Sequence, residues 1–91
     1  MPNDFNLFDE DELLLEVFKK IMKFLLRDVI EELEYEEPYT VEEMIPDFWK
    51  QLDVYERRIS GRGVAILVRE GKLSLEYDGK TSANHRRYNR R

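Results

Sequence analysis

The sequence predicts an α+β, mostly helical fold: a long N-terminal helix followed by a winged helix-turn-helix-like unit with a small C-terminal β-hairpin. Three observations lead there. Residues 11–36 contain neither Gly nor Pro and are mostly strong helix formers. Two capping boxes follow, Thr40-Val41-Glu42-Glu43 and Asp53-Val54-Tyr55-Glu56. Residues 72–77 then alternate polar and apolar ahead of the turn signal Asp78-Gly79. With 91 residues and no Gly/Ser linker, the chain reads as a single domain, 1–91. Residues 1–37 would form the long N-terminal dimerisation helix and 38–91 the winged-helix-like unit.

The long helix carries two faces. Glu16, Lys20, Lys23, Arg27, Glu31 and Glu34 recur at steps of three and four and make one polar stripe. Against them lie Leu13, Leu14, Leu15, Val17, Phe18, Ile21, Met22, Phe24, Leu25, Leu26, Val29 and Leu33. This apolar arc spans roughly 220°, about twice what a surface helix buries. At about 39 Å the helix also exceeds the width of a compact domain of this size. The expectation is a homodimer joined through Leu14, Phe18, Ile21, Leu25 and Val29; the alternative is a monomer whose helix breaks near Asp28.

Acids mark both ends of that segment. Asp9, Glu10, Asp11 and Glu12 suit the first turn of a helix, where the dipole favours negative charge. Glu31, Glu32, Glu34, Glu36 and Glu37 stand at the unfavourable end, so they are expected either to be solvated or to meet a basic partner, a protein or the chain's own tail. The first run lacks the Asp/Asn alternation and central Gly of a calcium loop, and no metal or cofactor is expected.

Pro38 stops the long helix. Thr40 then caps a short helix through Ile45, and Pro46 opens a further turn through residue 51 that turns Phe48 and Trp49 toward the core. Asp53 caps a longer helix running to Glu70, with Gly71 as its stop. Gly61 and Gly63 weaken it unless another helix crosses closely there. Residues 64–69 and 72–77 flanking Glu70-Gly71 also fit a hairpin; the helix is the expectation, and strand pairing between those segments would refute it. Residues 72–77 are predicted as a half-buried strand, Asp78-Gly79 as a tight turn and 85–89 as the returning strand.

Charge is divided unevenly. Residues 1–46 hold 14 acids and 4 bases, net −10; residues 47–91 hold 6 acids and 11 bases, net +5, which together give the −5 of the whole chain. The terminal GKTSANHRRYNRR carries five Lys and Arg and no acid. An acidic body with a basic surface points to nucleic acid, the alternative being a solvated, frayed terminus. On a helical wheel Arg58, Arg62 and Arg69 fall within about 40°, beside an apolar stripe of Tyr55, Ile59 and Ile66. In a winged helix-turn-helix that basic helix enters the major groove and the hairpin follows the phosphates. Arg58, Arg62 and Arg69 are thus expected at the groove, and Lys80, Arg86, Arg87, Arg90 and Arg91 on phosphates. The terminal segment is expected to be removable without loss of the fold.

Residues 40–91 resemble a family of short uncharacterised proteins, a domain of unknown function, from Gram-positive bacteria and their phages and mobile elements. Its members show a Trp, an Arg shortly before a Gly-Arg pair, and a terminal Asn and Tyr followed by bases. Trp49, Arg58, Gly61, Arg62, Asn84 and Tyr88 occupy those places. Gly63 departs from the pattern, which carries a large apolar residue there. The resemblance implies a small winged-helix-like fold without assigned enzymatic activity.

Composition removes several chemistries. There is no cysteine and a single histidine, His85, so thiol catalysis and zinc-thiolate sites are excluded. Ser82 precedes His85 without an orienting acid or pocket in the pattern. Gly79-Lys80-Thr81 lacks the earlier glycine of a phosphate loop. The start MPNDFNLFDEDE has no signal-peptide character, and charges interrupt the most apolar run, 13–30. A soluble, cytoplasmic, non-enzymatic protein is expected. The reading adopted is a dimeric duplex-DNA-binding protein, a small regulatory or accessory factor of phage or mobile-element type. The alternative is a protein-interaction module or acidic nucleic-acid mimic using Glu31, Glu32, Glu34, Glu36 and Glu37. A minor option is single-stranded nucleic acid stacking on Tyr77 and Tyr88.

Overall fold

The computed structural model describes the backbone of residues 2–91 and the side chains of residues 12–91. Its elements are α1 (Pro2–Ile30), α2 (Val41–Met44), α3 (Pro46–Lys50), α4 (Val54–Arg69), β1 (Leu75–Lys80) and β2 (Arg86–Arg90). The fold is therefore α+β and mostly helical, with a two-stranded antiparallel hairpin at the C-terminal end. Residues 64–69 are helical, so the hairpin about Glu70-Gly71 does not form.

Helix α1 starts nine residues earlier and ends six earlier than the sequence suggested. Pro2 is compatible with a first helical position, where its missing N–H is not needed. Asp9, Glu10, Asp11 and Glu12 consequently lie within the helix rather than in its first turn; the side chains of the first three fall outside the described residues. At the other end, the amides of Glu32 and Leu33 donate to the carbonyls of Val29 and Ile30 at 2.9 and 3.1 Å. This tight final turn precedes Glu36, whose φ of 66° is left-handed. Continuing the helix would stack five carboxylates at its negative pole. Glu31, Glu32, Glu34, Glu36 and Glu37 instead occupy exposed positions in the turn that follows, which corrects their placement on a helix end.

Met22, Leu26 and Ile30, one turn apart, form the buried stripe of α1. They meet Val64 and Leu67 of α4, Val41 and Met44 of α2, Leu73 of the segment before β1, and Leu75 and Tyr88 of the hairpin in one core. Gly63 lies where α1 and α4 approach closely. A Cβ built there would stand 3.2 Å from Lys19 Cγ and 3.5 Å from the Lys19 backbone. The glycine costs helix propensity and admits the neighbouring helix, whereas Gly61 faces open space.

Both capping boxes form. Thr40 Oγ1 accepts from the Glu43 amide at 3.2 Å and Glu43 Oε1 accepts from the Thr40 amide at 2.8 Å. Asp53 and Glu56 make the same reciprocal pair at 2.8 Å in each direction. Trp49 is buried and Phe48 packs against the core. α4 closes in a Schellman arrangement: Gly71 (φ 73°) donates to Val68 O at 3.0 Å and Lys72 to Leu67 O at 2.8 Å.

The hairpin is displaced from its predicted place. The chain needs Lys72 for the helix stop, so pairing begins at Leu75 with Arg90, then Glu76 with Asn89 and Tyr77 with Tyr88. Register shifts before Lys80 pairs with Arg86, so Asp78 and Gly79 together oppose Arg87. Asp78-Gly79 is thus a bulge rather than the turn, with Gly79 at φ 93°. The loop is formed by residues 81–85, where Asn84 (φ 70°) donates to Thr81 O at 2.9 Å and Thr81 to His85 O at 2.8 Å.

The expectation of a removable basic terminus is overturned. Tyr88 is 1% exposed, and its backbone exchanges two hydrogen bonds with Tyr39, which bridges onto β2. A residue so enclosed also has no face for a base, so Tyr88 cannot serve as a stacking platform.

Candidate nucleic-acid interface

The first half of α4, the start of α2 and the hairpin loop enclose an open groove of about 600 Å³. Arg57, Arg58 and Arg62 line it from α4, and Lys80, His85 and Arg86 from the hairpin. The buried Trp49 and Tyr88 border it with little ring exposed, and Glu42 is the acid among its lining residues.

Local structure explains each placement. The Asp53 cap fixes where α4 begins, and the four-residue step from Arg58 to Arg62 puts both on one face. Gly61, between them, leaves the wall open. Arg57 Nε donates to Trp49 O at 3.1 Å, tying α4 to the end of α3. On the hairpin, the bulge brings Lys80 onto the face shared by Tyr77, Arg86 and Tyr88. Among the described residues, Arg58, Arg62, Lys80 and Arg86 make no ion pair. Their charges are therefore not neutralised from within the fold.

The Tyr88 phenol has a perturbed proton affinity. Burial raises its phenol above the ordinary value, the Arg86 guanidinium lowers it in part, and Tyr77 raises it further. Tyr77 packs edge-on against Tyr88 at 6.1 Å between ring centroids. The Tyr88 hydroxyl is buried without a hydrogen-bond partner among the described residues.

The remaining cations of the basic half are not gathered into this groove. Arg69 is exposed in the last turn of α4, on the same helix face but at its far end. Arg87 lies on the opposite face of the hairpin, 3.9 Å from Asp78. Arg90 donates to Leu33 O at 3.0 Å and sits 4.4 Å over the Tyr35 ring, a structural clasp on the turn after α1. The tail thus does reach the acidic segment, through a carbonyl and a ring rather than a glutamate. Arg91 donates its amide to Ser74 O at 2.9 Å at the hairpin's other end.

Two groove residues escaped the sequence reading. Arg57 was masked by its neighbour Arg58, and only the turn of α4 against α3 brings it in. His85 reads as part of a polar basic hairpin, and its position depends on the Thr81 contact, where Thr81 Oγ1 accepts from the His85 amide at 3.1 Å.

The helix face expected to dimerise is divided. Ile21, Leu25 and Val29 pack partly against the chain's own core, Phe18 is half-buried and Leu14 more exposed. Leu13, Val17 and Phe24, which point away from that core, are 66%, 50% and 66% exposed.

No family model, curated protein or solved structure matches the chain. Among the described residues, no cluster of His, Asp or Glu has metal-site geometry, and no helix is long and apolar enough to cross a membrane.

Proposed function

We propose that this chain is a non-enzymatic duplex nucleic-acid-binding protein, a small regulatory or accessory factor using a winged-helix-like arrangement. One observation carries the reading: Arg58 and Arg62 of α4 share an open groove with Lys80 and Arg86 of the hairpin, all four without an ion-pair partner among the described residues. In this arrangement α4 presents its arginines to the duplex and the hairpin loop holds phosphate. Concave clusters of one charge sign concentrate the potential that draws a polyanion.

The exposed stripe Leu13, Val17 and Phe24 supports the accompanying proposal of a homodimer. It lies on the side of α1 turned away from the domain, so joining two copies there leaves both grooves open. The acidic residues after α1 repel DNA, and they lie beyond the helix rather than along it. Their exposure favours a second reading, in which Glu31, Glu32, Glu34, Glu36 and Glu37 receive a basic protein partner.

The test is fluorescence anisotropy on a labelled random duplex across a salt series. If four phosphates are neutralised per chain, log affinity falls against log salt with a slope of about −3.6. No detectable binding at roughly 50 mM salt, where phosphate contacts are strong, would discard the nucleic-acid reading and leave the basic-partner reading in its place.

A further inference from the structure

A second concavity, of about 320 Å³, lies between the last turns of α1 and the open end of the hairpin. Three separate segments supply its cations: Lys23 and Arg27 from α1, Lys72 from the turn after α4, and Arg90 and Arg91 from the end of the hairpin. Glu31 is the acid among its lining residues, and the buried Ile30 and Leu73 also contribute.

We infer that this concavity binds a small phosphate-bearing anion, at a site separate from the α4–hairpin groove. Five cations and one carboxylate in so small a space repel one another, and three features keep that charge from being neutralised internally. Arg27 and Lys72 pair with exposed acids, Asp28 at 3.6 Å and Glu70 at 3.5 Å, and such pairs are weak in water. Among the described residues Lys23 and Arg91 make no ion pair. Arg90 is fixed by the Leu33 carbonyl and the Tyr35 ring, so one nitrogen is engaged and the rest of its planar donor array is held in place.

The carbonyl end of α1 at Ile30 offsets part of the charge, but a helix terminus carries only about half an elementary charge. A phosphate supplies further negative charge and accepts several charge-assisted hydrogen bonds at once. The chain as a whole is acidic, so a saturable response to phosphate reports this local site rather than general attraction. The inference does not depend on duplex binding.

The experiment titrates inorganic phosphate, and separately pyrophosphate, into the full chain at ionic strength held constant with chloride, following backbone amide shifts. Saturable shifts are expected at residues 23, 27, 72 and 91. Lys23→Ala with Arg91→Ala should weaken the response by about tenfold, since it removes two charge-assisted donors. Lys72→Gln alone should weaken it less, while Arg58→Ala with Arg62→Ala leaves it unchanged. Shifts that grow linearly, match those caused by chloride, or survive the double substitution at 23 and 91 overturn the inference. A random duplex added in place of phosphate distinguishes the source: if it perturbs these same residues more tightly than phosphate, the cavity is an extension of the duplex surface and the small-anion site is refuted.

Discussion

Tyr39 and Tyr88 exchange both of their backbone hydrogen bonds, at 2.9 and 2.8 Å, and so join the segment between α1 and α2 to the last strand. This bridge and the enclosed Tyr88 ring make the terminal strand part of the core. Deleting residues 86–91 should therefore unfold the domain rather than trim it. Tyr88→Ala should lower stability by about 3–5 kcal/mol, as loss of a large buried ring does, measured by urea denaturation.

The buried phenol makes stability depend on alkaline pH. Its folded proton affinity lies above the ordinary tyrosine value of 10.0, so the unfolded chain loses this proton first. The contribution is complete below the unfolded value and is lost as pH rises from there through the folded value. Tyr88→Phe removes the effect, and with it a hydroxyl that has no partner, so it should be neutral or stabilising by about 1 kcal/mol at neutral pH. Urea midpoints between about pH 9 and 11 should fall less steeply in the variant.

The two glycines of α4 should respond oppositely. Gly61→Ala adds a methyl to open space and should stabilise by about 0.5–1 kcal/mol through helix propensity. Gly63→Val forces branched atoms against Lys19 and should destabilise by about 1–3 kcal/mol. Thermal denaturation of the two variants gives the comparison, and equal effects would contradict the close crossing.

These outcomes bear on how much of the molecule was legible beforehand. Caps and stops were readable because their partners are a few residues apart: Thr40 with Glu43, Asp53 with Glu56, Gly71 with Val68. The end of α1 was not, since no Gly or Pro marks it and the turn depends on where Leu33 and Arg90 meet. Asp78-Gly79 misled because a glycine at positive φ serves a bulge as well as a turn. Helical spacing correctly put Arg58 and Arg62 on one face, but only strand register brings Lys80 opposite Arg86. The clasp of Arg90 on a carbonyl far away in sequence leaves no trace in composition.

For nucleic-acid binding, Arg58→Ala with Arg62→Ala should flatten the salt slope by about 1.8, two phosphates' worth. To the extent that these arginines reach base edges, discrimination between sites should fall as well. Arg69→Ala should change the slope little, because that residue lies outside the groove. Anisotropy titrations of both variants decide whether the groove or the whole basic half carries the affinity.

Self-association should depend on the outward stripe of α1. Leu13→Asp with Phe24→Asp is expected to give a folded monomer by sedimentation at tens of micromolar, since neither side chain is enclosed. Leu25→Asp should instead lower stability, because Leu25 packs against the core. A wild-type chain that sediments only as an 11.1 kDa species would remove the dimer.

The bulge at Asp78 and Gly79 means that the hairpin tip is encoded partly by a count of residues. Side chains alternate along a strand, and one extra residue resets the parity for everything beyond it. Removing Gly79 would keep every cation in the sequence and leave Asp78 alone opposite Arg87, with Lys80 still opposite Arg86 but without the bulge and its added twist. Two chains of identical charge, differing by this single deletion, would therefore present the same cations on ribbons of different twist. When related hairpins are aligned, the spacing between Tyr77 and the loop carries information that residue identity alone does not.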